Sequence, residues 1–310
     1  MLWFHLVACM EEPSEKINNP QSTEEDTEEV QESLNLDLND AADNVTAFVK
    51  SRGSLVEGEP VVFYFKGLVF NSVDVPPEET GETSYFNDAL FQFEGFNIAQ
   101  FKKMSDYEYQ MLSREITLYK DNSGRVINCF NNRDIVGTEN AAFVPVVHVQ
   151  NDPVNYYLYG SDYRDVGPEM VSWVQEMFLN YPSPLPMDTY PEFSAGNTYQ
   201  SIEIFDFFAN LDDINNPNLD SIPVHLSWVR QGQYLPWMRA GQTDGKLVYH
   251  GQGYKLMDGY EALPENLKEW VADNAPEYQE PPSFDVGKNV TSWRYMESLL
   301  ENDEYSYDCD

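Results

Sequence analysis

Val61-Val62-Phe63-Tyr64-Phe65-Lys66-Gly67-Leu68-Val69-Phe70 decides the fold class. Its β-branched and aromatic side chains suit a pleated strand and lose rotamer freedom in a helix. Similar segments recur downstream. Residues 85–104 read as one or two strands interrupted at Glu94-Gly95. Residues 107–119 alternate, with Tyr107, Tyr109 and Met111 on one face and Glu108 and Gln110 on the other. Asp121-Asn122-Ser123-Gly124 reads as a hairpin turn, with residues 126–130 returning. Ala141-Ala142-Phe143-Val144-Pro145-Val146-Val147 reads as a buried strand, and Tyr156-Tyr157-Leu158-Tyr159 as the next. Residues 223–230 and 246–256 are strands, the second with Gly251 and Gly253 marking a bulge or a close backbone approach. Residues 170–179 fit a helix or a strand, 198–210 a strand alone or running into a helix, and 290–296 a last extended segment. The Pro-rich residues 181–196 are a long loop or an ordered lid. Helical periodicity is confined to 40–50, with Asp40 as N-cap, and 263–272, with Pro264 near the first turn. Roughly ten successive strands without βα alternation predict a mainly β fold. The expected architecture is an antiparallel, calycin-like barrel, closed or nearly closed, with two or three peripheral helices. Such a barrel can hold one small ligand.

The chain has 310 residues, 53 acidic and 18 basic, for a net charge of -35. That charge repels phosphate backbones, so nucleic-acid binding is not expected. Much of it lies toward the ends. Residues 10–44 carry 12 acids against Lys16, and residues 297–310 carry six acids and no base. These compositions predict an acidic disordered tether over 10–39 and an acidic disordered tail over 298–310, flanking a single barrel domain at 40–297. Cys9, Cys129 and Cys309 form neither a disulfide framework nor a metal cluster by spacing, and Cys129 reads as a small core residue.

Leu6-Val7-Ala8-Cys9 resembles the lipobox of bacterial lipoproteins, in which the cysteine is acylated. The apolar region is short and lacks a basic segment before it, so residues 1–9 read as a clipped lipoprotein signal or as an accidental match. Lipidation at Cys9 would tether the protein to a membrane at the cell envelope. Without it the protein is expected to be soluble and cytoplasmic. No segment approaches about 18 consecutive apolar residues, so no transmembrane helix is expected.

Polar groups concentrate at His148-Val149-Gln150-Asn151-Asp152-Pro153-Val154-Asn155. Polar residues at the mouth of an apolar strand build ligand pockets. They also build self-satisfied turns, and Asp152-Pro153 reads as a turn or strand edge. Alternation in 224–230 places Leu226, Trp228 and Arg230 on one face and His225 and Ser227 on the other. An arginine among apolar residues is either paired, with Glu94 or Glu115, or stacked on a tryptophan, or faces a ligand anion. Neighbours on a strand face opposite sides, so only one of Arg114 and Glu115 can point inward. Trp228, Trp237 and Tyr249 are candidates for an aromatic wall.

Several motifs together resemble a bacterial family, domain of unknown function 1838. They are Arg52-Gly53-Ser54, Phe93-Glu94-Gly95, Arg114-Glu115, His148-Val149-Gln150-Asn151-Asp152-Pro153-Val154-Asn155, Leu226-Ser227-Trp228, Leu235-Pro236-Trp237-Met238, Gly253-Tyr254-Lys255-Leu256 and Thr291-Ser292-Trp293. The resemblance spans about residues 40–297. Phe130 stands where the family pattern has a tryptophan. The resemblance implies no activity.

The expected function is a pocket for a hydrophobic small molecule, with cofactor-independent isomerase, cyclase or lyase chemistry. His148 would serve as acid–base, Asp152 would orient it, and Arg230 would meet a carboxylate or enolate. Asn151, Asn155, Glu94, Arg114, Glu115, Trp228, Trp237 and Tyr249 would line the ligand. The alternatives are a non-catalytic envelope carrier of an apolar ligand and a structural protein with a filled barrel. No nucleotide-binding, nucleophile-elbow or CxxC motif is present, so no cofactor is expected. His148, His225 and His250 lack metal-ligand spacing, and no metal is expected.

Overall fold

The computed structural model describes residues 34–73, 89–284 and 287–309. The apolar and aromatic segments form β1 (Val61–Ser72), β2 (Phe91–Ser105), β3 (Glu108–Lys120), β4 (Cys129–Asn131), β5 (Phe143–Pro145) and β6 (Val149–Leu158). The later strands are β7 (Asp162–Gly167), β8 (Met170–Pro182), β9 (Thr198–Asn210), β10 (His225–Gly232) and β11 (Lys246–Leu256). Nine of them make one antiparallel sheet in the order β6-β3-β2-β1-β11-β10-β9-β8-β7, while β4 pairs with β5 alone. Residues 126–130 therefore do not return along β3 as a full strand. They contribute one bridge, Lys120 to Val126, before β4 leaves for its own partner.

The first and last strands of the sheet, β6 and β7, are consecutive in the chain and are linked by Tyr159-Gly160-Ser161. Among the described residues no ladder joins them, so the sheet curls into an open half-barrel and not into the closed or nearly closed barrel expected. Two asparagines occupy the seam. Asn44 donates to Ser161 O at 3.2 Å and accepts from Ser161 N at 3.1 Å. Asn289 accepts from Asn155 N at 2.9 Å and donates to Asn155 O at 3.3 Å, while Val290 N donates to Pro153 O at 3.0 Å. Side-chain amides and residues 289–290 thus satisfy edge groups of β6 that a neighbouring strand would satisfy in a closed barrel.

Three longer helices position the interior: α1 (Ala41–Arg52), α4 (Glu265–Asn274) and α5 (Ser292–Glu301); α2 (Arg133–Val136) and α3 (Leu211–Asn215) are single turns. Asp40 caps α1 as expected, accepting from Ala42 N and Asp43 N. Of residues 290–296, expected to be extended, Thr291 is extended as the N-cap and 292–296 are helical. Trp293 and Met296 are buried with Leu299 and Leu300 against one cluster, which is helical spacing.

α1 packs Val45, Phe48 and Val49 against Phe63, Trp173 and Phe207 at one end of the inner face. At the other end Phe91, Phe93, Tyr119, Trp237 and Tyr249 pack with Trp293. A third cluster lies on the outer face, where Leu267 and Val271 of α4 cover Tyr64, Phe96, Ile98 and Ile116. Gly251 and Gly253 mark close approach rather than a bulge, since β11 keeps continuous register with both neighbours. A Cβ at Gly251 would meet the Phe93 ring at 2.9 Å, and one at Gly253 would meet Tyr64 O at 2.4 Å.

The C-terminal segment is anchored where a free tail was expected from 298. α5 continues to Glu301, Tyr305 is buried against Phe193, and Cys309 forms a disulfide with Cys129. Cys129 is therefore a strap point, not an inert core residue; the partners lie 180 residues apart, which spacing could not reveal. At the other end Leu34 N donates to Asn215 O at 2.9 Å, so packing begins before residue 40. Cys9 and the rest of residues 1–33 lie outside the described residues. No described helix is long and apolar enough to cross a membrane.

Candidate functional site

The inner face encloses a cavity of about 280 Å³ between the two inner clusters. The interior is thus not filled by its own side chains. Aromatic rings supply much of the wall: Phe93 and Trp228 meet edge to face at 5.7 Å, and Trp228 lies 5.7 Å from Tyr249. Gly251 gives those rings their room.

Charge enters this apolar chamber at four points. Alternation along β10 carries Leu226, Trp228 and Arg230 inward, as read from the sequence. Arg230 pairs with a partner that reading missed. Its Nε lies 3.4 Å from Glu203 Oε1, and its Nη2 donates to Tyr199 Oη at 3.0 Å. Its guanidinium also lies over the Tyr249 and Trp293 rings at 4.9 and 5.8 Å. Trp228 Nε1 donates to Glu203 Oε2 at 3.2 Å. Glu203, Phe205 and Phe207 share an inward face of β9, and a lone acid on an aromatic face was the signal that could have found it.

The second pair is Glu115 and Arg52. Glu115 sits in a row of inward residues in register across five strands: Lys255, Phe63, Asn97, Glu115 and Asn151. Asn151 Nδ2 donates to Glu115 Oε1 at 3.3 Å. Burial, reinforced by the negative charge of Glu203, pushes the Glu115 carboxyl up to about 7 against the pull of Arg52 and Arg230. Arg52, the last residue of α1, reaches the cavity with its guanidinium 5.0 Å from the Phe63 ring and 5.2 Å from the Phe207 ring. Buried Arg52 Nη1, Asn97 Oδ1, Ser113 Oγ and Asn151 Oδ1 have no hydrogen-bond partner among the described residues.

The Asp152-Pro153 segment explains how Asn151 comes to face inward. Ser113 pairs with Val154 and Glu115 with Asn151, so two residues of β6 oppose one of β3. The segment is a bulge within a strand, with a cis Asp152-Pro153 bond, and not a turn after one. The extra residue shifts the side-chain parity, so Asn151, Val154 and Tyr156 all line the cavity. Arg114 points the other way. Its Nε lies 2.8 Å from Asp152 Oδ1 and its Nη1 donates to the carbonyls of Glu277 and Glu280.

Of the sequence-derived candidates, Arg230, Asn151, Glu115, Trp228 and Tyr249 converge on the cavity. The others do not. His148 sits behind the wall in a small crevice that it shares with Trp237, between the Tyr119 and Trp270 rings. Its Nδ1 accepts from Tyr119 N at 3.2 Å, and burial lowers it to about 4, so it is neutral at pH 7. Asp152 is engaged by Arg114, far from any orienting contact with His148. Asn155 serves the seam. Glu94 lies under α4, bonded to Tyr64 Oη at 2.5 Å and to Lys120. His225 and His250 are exposed, so the three histidines stay apart.

These features define an antiparallel half-barrel protein with an internal, ligand-sized chamber holding two arginines and two glutamates. The chain belongs to the family described as Protein of unknown function (DUF1838), whose model matches residues 58–300. No curated protein matches it.

Proposed function

We propose that the chamber binds a hydrophobic small molecule of one or two rings and that Glu115 exchanges a proton with it. A cavity of about 280 Å³ lies at the small end of ligand pockets. The observation that carries the reading is Glu115 itself: a buried carboxyl poised at about 7, inside an aromatic chamber. A group matched to ambient pH is an efficient acid and base. Isomerisation, cyclisation or elimination needs only such a proton relay and a polarising donor, which the neighbouring Asn151 amide and the arginines would supply. Glu115 takes the role that His148 held in the sequence reading, because a His148 nitrogen already accepts a backbone N–H outside the chamber. The aromatic share of the wall also favours a second reading, a carrier that holds its cargo unchanged. The Cys129–Cys309 disulfide supports an oxidising compartment, consistent with export to the cell envelope.

Native mass spectrometry of the purified protein, followed by organic extraction, tests occupancy. The extracted molecule is then incubated in deuterated water with wild type and with Glu115→Gln. Proton transfer predicts deuterium incorporation by wild type and loss of incorporation, with binding kept, in the variant. A bound molecule that takes up no deuterium with either protein sinks the catalytic reading and leaves the carrier.

A further inference from the structure

The two arginines of the chamber are held in opposite ways. Arg230 has a carboxylate, a phenol and two rings. Arg52 has only rings. Among the described residues no carboxylate lies within ion-pair distance of it, no group accepts a hydrogen bond from it, and its Nη1 is buried without a partner. A guanidinium carries five donors in a planar fork, and leaving such a group buried and unmatched is costly. Burial is the chief reason that Arg52 is lowered to about 10.

Arg52 is not needed to finish its helix. Gly53 N donates to Val49 O at 2.7 Å, and Lys50 O accepts from both Ile222 N at 3.1 Å and Lys255 Nζ at 2.8 Å. Nor is it balancing a local excess of negative charge. Lys255 is a second buried basic group nearby, lowered by burial first and then by the charge of Arg52. The acid facing Arg52 from β3 is Glu115, and Tyr156 faces it from β6. In a chain of net charge -35, an arginine thus lines this end of the chamber without an ion-pair partner among the described residues.

We infer that the ligand of this chamber is an aromatic or conjugated monocarboxylate, and that Arg52 is its anchor. The inference rests on reading the chamber as a ligand site, and it names the ligand's class. The fork of Arg52 matches a carboxylate in two parallel hydrogen bonds, and the Phe63 and Phe207 rings hold that fork in place while excluding water. The ligand's unsaturated body then faces Phe93, Trp228 and Tyr249. A carboxylate beside Glu115 favours the protonated acid. Binding therefore draws in a proton and weakens as the pH rises above about 7, with Arg52, Glu203, Arg230, Tyr156 and Tyr119 the other charged or titratable groups coupled to that site.

Calorimetric titration of the full chain with cinnamate and with cinnamamide tests this. The two share a ring and a conjugated arm and differ in charge. Cinnamate should bind about tenfold tighter or more. Arg52→Met should erase that preference, and Arg52→Lys, which keeps the charge without the fork, should retain part of it. Equal binding of the two probes by wild type overturns the inference while leaving the chamber a ligand site. A preference that survives in Arg52→Met overturns the role of Arg52. No binding of either probe sinks both the inference and the chamber reading beneath it. If Arg52→Met does not fold, the wild-type comparison and Arg52→Lys still decide.

Discussion

The chamber has two charged ends built to different rules. At the Arg230 end the charged groups are matched, guanidinium to Glu203 and Tyr199 and indole to Glu203, with Trp293 of α5 over the guanidinium, although the Tyr249 hydroxyl beside them has no hydrogen-bond partner among the described residues. At the Arg52 end the charges face one another unbonded, and amide and hydroxyl oxygens beside them are unmatched. A satisfied buried network fixes structure, whereas an unsatisfied one keeps binding capacity at a cost in stability. The first end thus reads as scaffold and the second as the working site.

The largest effect within the chamber should come from breaking the matched end. Arg230→Met strands Glu203 in an apolar wall and should cost roughly 3–5 kcal/mol in urea denaturation. Arg52→Met removes a charge that has no bonded partner, so stability should fall by no more than about 1 kcal/mol, or rise. Equal losses from the two would erase the distinction.

The pH dependence of stability sharpens it. Glu115 holds its proton to about 7 in the folded state against an ordinary 4.5, so its contribution is full below 4.5 and is lost as the pH rises through 7. Glu115→Gln should therefore match wild type in acid and exceed it above about 7 in denaturant melts. His148 has the opposite sign. Its folded value of about 4 lies below the ordinary 6.5, so its contribution is present above 6.5 and lost as the pH falls through 4. His148→Gln should blunt the acid-side loss and leave deuterium exchange into the ligand intact; loss of that exchange in a folded variant would return His148 to the chemistry.

The most local structural effect should be that of Cys309→Ser. It releases a strap beyond α5, so hydrogen exchange should quicken over residues 302–309 while β10 stays protected. Because the bond closes a loop of 180 residues, freeing the unfolded chain alone predicts a global loss of about 5 kcal/mol, and it is lost protection in β10 that would show the disulfide, and not the Arg230 network, holding that end together.

The strands were legible because period-two burial leaves its mark in sequence, and Arg230 among apolar neighbours on β10 was readable for the same reason. Closure of the sheet was not. Whether edge strands meet is decided by contacts between residues such as Asn289 and Asn155, which carry no local signal. His148 was misplaced because its motif was read as the end of a strand, whereas Asp152-Pro153 is a bulge within β6 that re-aims the residues around it. Arg52 was passed over because α1 was expected at the periphery, and its C-terminal end instead reaches the chamber. Glu203 fell in a segment left open between strand and helix, so its parity could not be used.

The seam between β6 and β7 has one more implication. In a closed barrel the girth follows from strand number and stagger, so it changes only in steps. Here the girth depends on how far residues 289–293 wedge between the sheet's margin and its interior, where Thr291, Ser292 and Trp293 form part of the lining. Lengthening or trimming that wedge would tailor the room inside to a different guest while every ladder in the sheet keeps its register.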